Sequence, residues 1–193
     1  KPVIKKVVLN GGQPYTSKTT VSVNIEAEDQ PNLSGLDETS FPNKIIGLGR
    51  EGENVISVKV KDKAGNESSP MTASVILDTT PPRITVKDLD RITYGWHKTD
   101  VSITVEASDG IFGSGVREVS CYGVTSSSGS VTATIREEGR NIRVPYYAVD
   151  QAGNSINNYF EVKIDKTPPS IGSFEIVTYH LDAKGITAGF FTL

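Results

Sequence analysis

Asp62-Lys63-Ala64-Gly65-Asn66 and Asp150-Gln151-Ala152-Gly153-Asn154 are two copies of one pentapeptide, Asp-x-Ala-Gly-Asn. Each closes one run of alternating apolar and polar residues and opens another. Each second run leads to the same exit, Asp78-Thr79-Thr80-Pro81-Pro82 and Asp165-Lys166-Thr167-Pro168-Pro169. The two motif glycines lie 88 residues apart, and Pro82 and Pro169 lie 87 apart. A fixed offset of this kind marks a tandem repeat, which must be recognised before any fold is assigned. The chain divides into residues 1–82, residues 83–169 and a tail, 170–193.

The alternation on either side of the motif predicts strands. In Val21-Ser-Val-Asn-Ile-Glu-Ala-Glu-Asp29 the apolar residues Val21, Val23, Ile25 and Ala27 fall on one face, with Asp29 ending that face. Val101–Asp109 repeats this at an offset of 80, with Asp109 in the same place. A period of two means a half-buried strand. Asn54–Asp62 and Ile142–Asp150 alternate in the same way into the motif, and Tyr146 is placed inward and Tyr147 outward. Ser34-Gly35 matches Ser114-Gly115. Short strands are expected near Thr39–Phe41 and Lys44–Leu48, in a stretch punctuated by Gly and Pro. Ile171–Tyr179 and Ala188–Leu193 read as the first strands of a third unit, truncated or packed on the second. No segment has a sustained helical period. Short strands at regular spacing predict an all-β chain of antiparallel sandwiches.

Composition narrows the function classes. Twenty basic and 23 acidic residues, spread along the chain with a net charge of −3, give no nucleic-acid footprint. No apolar run is long enough for a transmembrane helix, and no signal peptide is seen. The first residue is Lys1, which reads as a piece of a longer protein. One cysteine, Cys121, excludes an intrachain disulfide. It reads as a small apolar strand residue, and a disulfide-free β-protein suits a bacterial surface.

The pentapeptide has a conformational logic. A tight reversal often needs a residue with positive φ, which Gly65 and Gly153 supply without a Cβ clash. Asn66 and Asn154 tolerate similar backbones. Asp62 and Asp150 are expected to accept N–H bonds across the turn. The paired prolines of the exits favour a stiff, extended linker.

In this ordered combination, present twice, the chain resembles the bacterial immunoglobulin-like domain repeats of cell-surface and secreted proteins. The resemblance covers nearly the whole chain. It implies tandem immunoglobulin-like or fibronectin type III-like sandwiches that act as spacers, adhesion stalks or accessory modules and carry no chemistry. It also implies an extracellular or cell-wall location. The expected partners are neighbouring units of the same chain, and a host or cell-wall glycan or protein. Unit 1 departs from unit 2 between the Ser-Gly and Glu-Gly pairs, with 17 residues from Gly35 to Gly52 against 24 from Gly115 to Gly139. A strand is expected to be missing or very short there.

In such a sandwich the second and sixth strands end at the pole where the chain enters. That would gather Asp109, Asp150 and the linker residue Asp78, with Asp88 and Asp90 soon after. Oxygen ligands in number suit Ca²⁺, so calcium at the junction is one expectation. Aspartates bonded within their turns are the other. No further cofactor is expected.

Nothing else in the sequence assembles into a catalytic set. His97 and His180 do not match between units, and no nucleophile elbow is present. Glu137 and Glu138 are adjacent and make no glycosidase pair. Trp96 is read as covering one end of the core, and Trp96 or Tyr147 would be the aromatic contacts of a glycan-binding module.

Overall fold

The computed structural model describes residues 1–172 in full and the backbone of 176–182 and 185–191. Unit 1 contains β1 (Val3–Leu9), β2 (Tyr15–Thr16), β3 (Thr20–Glu28), β4 (Leu36–Asp37), β5 (Ile45–Gly47), β6 (Gly52–Val58), β7 (Lys61–Asp62) and β8 (Met71–Leu77). One sheet runs β1-β3-β5 and the other β2-β8-β6, with β4 and β7 as a short pair. Unit 2 contains β9 (Arg83–Val86), helix α1 (Leu89–Thr93), β10 (Val101–Ser108), β11 (Val116–Cys121), β12 (Val124–Ser126), β13 (Ser130–Ile135), β14 (Gly139–Asp150) and β15 (Ser155–Ile164). Its sheets run β13-β10-β9 and β12-β11-β14-β15. The chain is all-β, and its strands pair antiparallel except for the short β2–β8 contact, which is parallel.

The alternating positions point as the sequence requires. Val101, Ile103 and Val105 of β10 are buried, and Val144 and Ala148 of β14 face them from the other sheet. Fifteen buried residues of unit 2 form a single cluster. Tyr146 packs inward on Phe160, with ring centroids 5.8 Å apart. In unit 1 the buried residues fall into two clusters of six and three, bridged by half-buried Val7, Ile25 and Ile56.

Four local expectations are corrected. Thr39–Phe41 is not a strand: Glu38–Ser40 is a 3₁₀ turn, because the Asp37 carboxylate accepts the Thr39 N–H at 3.0 Å. Trp96 does not cover the core, being 53% exposed. Ile92 of α1 closes that end instead, and His97 helps by placing its Nε2 2.7 Å from the Ile92 carbonyl. The tail forms an antiparallel hairpin, β16 (Ile176–Asp182) with β17 (Gly185–Phe191), so its strands start later and earlier, respectively, than expected. Whether the tail packs on unit 2, and what His180 contacts, lie outside the described residues.

Candidate functional site: the carboxylate junction

Both pentapeptides form the same turn. The Asp62 carboxylate accepts the Asn66 backbone N–H at 2.8 Å and its Nδ2 at 2.9 Å. The Asp150 carboxylate accepts the same two donors of Asn154, both at 2.8 Å. Gly65 and Gly153 have φ of +85° and +94°, the left-handed region that glycine enters freely. The bonds from Asn66, its side-chain amide first, hold the Asp62 carboxyl below the usual carboxylate range. The other strand-end aspartates match too. Asp29 accepts the Gly35 N–H at 3.0 Å and Asp109 accepts the Gly115 N–H at 2.7 Å.

The poles differ in what arrives there. At unit 1 the backbone nitrogen of Lys1 lies 3.6 Å from Asp29 and 3.5 Å from Asp62. Oδ1 of Asp29 is buried without a hydrogen-bond partner. At unit 2 a third carboxylate arrives. Asp78 follows β8 of unit 1, where its N–H donates to the Thr16 carbonyl at 2.9 Å. Its side chain, however, belongs to unit 2, since Oδ2 accepts the Ser114 N–H at 2.7 Å. Its carbonyl accepts Asn154 Nδ2 at 2.8 Å. Oδ1 turns back to the Thr80 N–H at 3.1 Å, which fixes the start of the Pro81-Pro82 linker. Asp78 is 1% exposed.

Two further contacts lie at the junction, one tying the linker to unit 1 and one reaching from unit 2 to unit 1. Thr79 donates its N–H to Glu51 of unit 1 at 3.1 Å, and its hydroxyl bonds to the same carboxylate. The Phe112 ring of unit 2 lies over Gly52 of unit 1, where a Cβ would meet it at 3.4 Å. The exit after β15 is similar: the Thr167 hydroxyl bonds to Glu138 at 3.0 Å, and its N–H donates to Asp165 at 3.2 Å.

Asp78, Asp109 and Asp150 each offer an oxygen within 4.8 Å of the others. Burial raises the Asp109 carboxyl above the ordinary 3.8, the charges of Asp78 and Asp150 add to this, and the bonds from Gly115 and Gly110 oppose it. The spacing is compatible with a shared ion, because two oxygens each ~2.4 Å from Ca²⁺ lie at most ~4.8 Å apart. The donors are of the right kind, and carboxylate oxygens that accept one N–H retain further lone pairs. Three carboxylates give about three to six of the six to eight oxygens Ca²⁺ takes, so water or carbonyl groups would complete the shell.

Asp88 is not brought to this cluster. Strand β9 carries the chain away from the junction, and exposed Asp88 precedes α1 in a left-handed conformation, φ 52°. Asp90 lies within that same exposed turn. Sequence reasoning passed over Ser114, which caps the site through its N–H and accepts the Ala152 N–H on Oγ at 2.9 Å. It also passed over Glu51 and Glu138. The repeated Ser-Gly and Glu-Gly pairs were the available signal for all three.

Cys121 is fully buried, and burial pushes its thiol up to about 11, far from a reactive thiolate. The Tyr147 hydroxyl is tied to Glu118. Among the described residues no helix is long and apolar enough to cross a membrane.

No protein-family model matches the sequence, and the search of curated proteins found no match. Solved structures do resemble it. The fibronectin(III)-like modules of Clostridium thermocellum CbhA align with 12% identity and a TM-score of 0.44, over 88% of this chain and all of that one. The D00-D0 domain of Intimin aligns with 12% identity and a TM-score of 0.37, over 81% of this chain and 99% of that one. The likeness is one of fold.

Proposed function

We propose that the chain is a non-catalytic spacer or adhesion-stalk segment of a bacterial cell-surface or secreted protein. Its immediate partners are the units on either side of each junction, and its distal partner is a glycan or protein of the cell wall or host. The observation that carries this reading is Asp78. A spacer must transmit orientation from one unit to the next, and a flexible linker cannot. Here the last residue of one sandwich is buried as a hydrogen-bonded part of the next. The bond of Thr79 to Glu51 ties the linker to unit 1, and the contact of Gly52 with Phe112 braces the joint from a second side.

The test is the distribution of inter-unit distances, read by spin labels on β5 and β12. A narrow distribution that broadens in Asp78→Ala supports a braced joint. A broad distribution in the unmodified chain would sink the proposal.

Calcium is part of this reading. Three carboxylates converging on one point repel one another, and a divalent ion held by Asp78, Asp109 and Asp150 would remove that repulsion and lock the joint. A ligand that binds only the folded state raises the melting temperature, by about 1.4 kcal/mol of stability at ten times its Kd. Millimolar calcium should therefore raise the melting temperature of unit 2 reversibly with chelator, and Asp109→Ala should abolish the rise. No shift leaves the aspartates as hydrogen-bonded braces and the joint metal-free.

The alternative reading, an accessory glycan-binding module of a secreted carbohydrate-active enzyme, has one favouring observation. Tyr94 and Trp96 stand 87% and 53% exposed in the same short loop. Glycan-array binding lost in Trp96→Ala would favour it, and an array without signal would exclude it.

A further inference from the structure

Unit 2 fills its first sheet completely, and unit 1 does not. In unit 2, β13 pairs with β10 from Val101 to Glu106, and the Ala107 N–H donates onward to the Gly129 carbonyl at 2.8 Å. In unit 1 the equivalent strand, β3, pairs with β5 only over Thr20–Ser22, extended by one bond from the Val23 N–H to the Lys44 carbonyl at 2.8 Å. Two residues further along, the ladder would need a donor at Pro42, which has none. The chain turns away there, and the shorter span between Gly35 and Gly52 leaves no residues to continue. Among the described residues, the N–H and carbonyl of Ile25 and the N–H of Ala27 have no backbone partner on that side. A groove of about 500 Å³ lies beside them, lined by Asn24, Ile25, Leu36, Glu38, Phe41 and Pro42. Proteins usually blunt or cover such an edge.

We propose that this open edge of β3 docks an extended segment of a partner protein, which adds to the sheet as a short antiparallel strand. Unit 2 shows what the slot accepts. Its own filler is Ser130-Val131-Thr132, paired with Glu106, Val105 and Thr104. Val131 points inward at 5% exposure, and the Thr132 and Thr104 hydroxyls bond at 2.9 Å. The corresponding residues of unit 1 are Glu26, Ile25 and Asn24. The partner therefore presents a β-branched apolar residue opposite Ile25, aimed at Leu36 and Phe41, and a small polar residue opposite Asn24. Glu38 and Lys44 both line the groove and Lys6 faces Glu26 from β1, so the selection rests on Glu26 itself, which on its open side favours a cation at the position before the apolar residue, since opposite charges stabilise directly facing strand pairs. Three residues span roughly 10 Å. Main-chain bonds supply affinity in this mode, and the inward side chain supplies specificity. This inference is independent of the spacer reading, because the edge lies away from the junction.

The probe is the capped peptide Gly-Lys-Val-Thr-Ala, added to the full chain and followed by amide hydrogen exchange. At saturating peptide, exchange at Ile25 and Ala27 should slow at least tenfold while Val105 and Ala107 stay unchanged. A peptide with Pro in place of Val should lose the effect. Glu26→Lys, a change at an exposed position, should weaken this peptide several-fold and favour its Glu-for-Lys counterpart. Unchanged exchange at Ile25 at millimolar peptide would overturn the proposal. Protection of Ile25 that grows with protein concentration in the absence of peptide would also overturn it, assigning the edge to a second copy of the chain.

Discussion

Units 1 and 2 share a turn and a pair of strand-end aspartates, yet they differ in core and in pole. Unit 2 has a continuous buried cluster, and unit 1 has two smaller ones. The cause is local. With seven fewer residues between the Ser-Gly and Glu-Gly pairs, unit 1 has only the three-residue β5 where unit 2 has the six-residue β13. At the pole of unit 2, Asp78 joins the two strand-end aspartates. The comparison teaches that the two units keep one hydrogen-bonding frame while the filling of the core varies.

The largest test of this contrast is in the cores. Ile103 of unit 2 and Val23 of unit 1 occupy equivalent buried positions. Ile103→Ala should cost about 4 kcal/mol and Val23→Ala about 2 kcal/mol, because more carbons are removed from a tighter cluster. Separate melting transitions in calorimetry would read both, and equal losses would contradict the split-core description of unit 1.

Next comes the turn. Asp150→Ala leaves two half-buried Asn154 donors unanswered and should cost about 1 kcal/mol. It should also loosen the hold of Asn154 on the Asp78 carbonyl, so inter-unit distances should broaden. Asp62→Ala, the same change in unit 1, should lower the stability of unit 1 and leave those distances unchanged. Broadening in both variants would mean that the turn acts globally.

The contact of Phe112 with Gly52 gives a smaller effect. Phe112 is 68% exposed, so Phe112→Ala should change the stability of either unit by less than about 1 kcal/mol while widening the distance distribution. A narrow distribution in that variant would leave bracing to Asp78 and Glu51 alone.

The smallest effect is in acid. The Asp62 carboxyl is held below 3.8 and Asp109 above it. A depressed carboxylate contributes stability above its unfolded pKa that is lost as pH falls through the folded value. A raised one does the opposite, its folded charge becoming less favourable as pH rises from the unfolded to the folded value. Carbon-detected titration of the two side chains should therefore show Asp109 protonating first on acidification. The reverse order would remove the electrostatic case for a shared cation at the junction.

Much of this was legible in the sequence. The period, the alternation of Val101–Asp109 and the Asp-x-Ala-Gly-Asn turns are local signals, and local geometry enforces them. The gathering of Asp78, Asp109 and Asp150 followed from strand order. Asp88 failed because proximity along the chain does not survive an intervening strand. Trp96 failed because apolar character alone does not say which residue closes a core when a helical turn competes for the place. Ser114 and Glu51 act through partners 36 and 28 residues away, a relation that residue pattern alone does not express.

Asp78 also gives the chain a direction. The first sandwich completes its own core with or without a successor, whereas the second is finished only by a residue that its predecessor donates. During synthesis the amino-terminal unit emerges first and can present that carboxylate, already positioned by the Thr16 carbonyl, to the strand ends forming behind it. A series of such units would mature vectorially, each serving as a template for the pole of the next, and cooperativity would travel from the amino toward the carboxyl terminus.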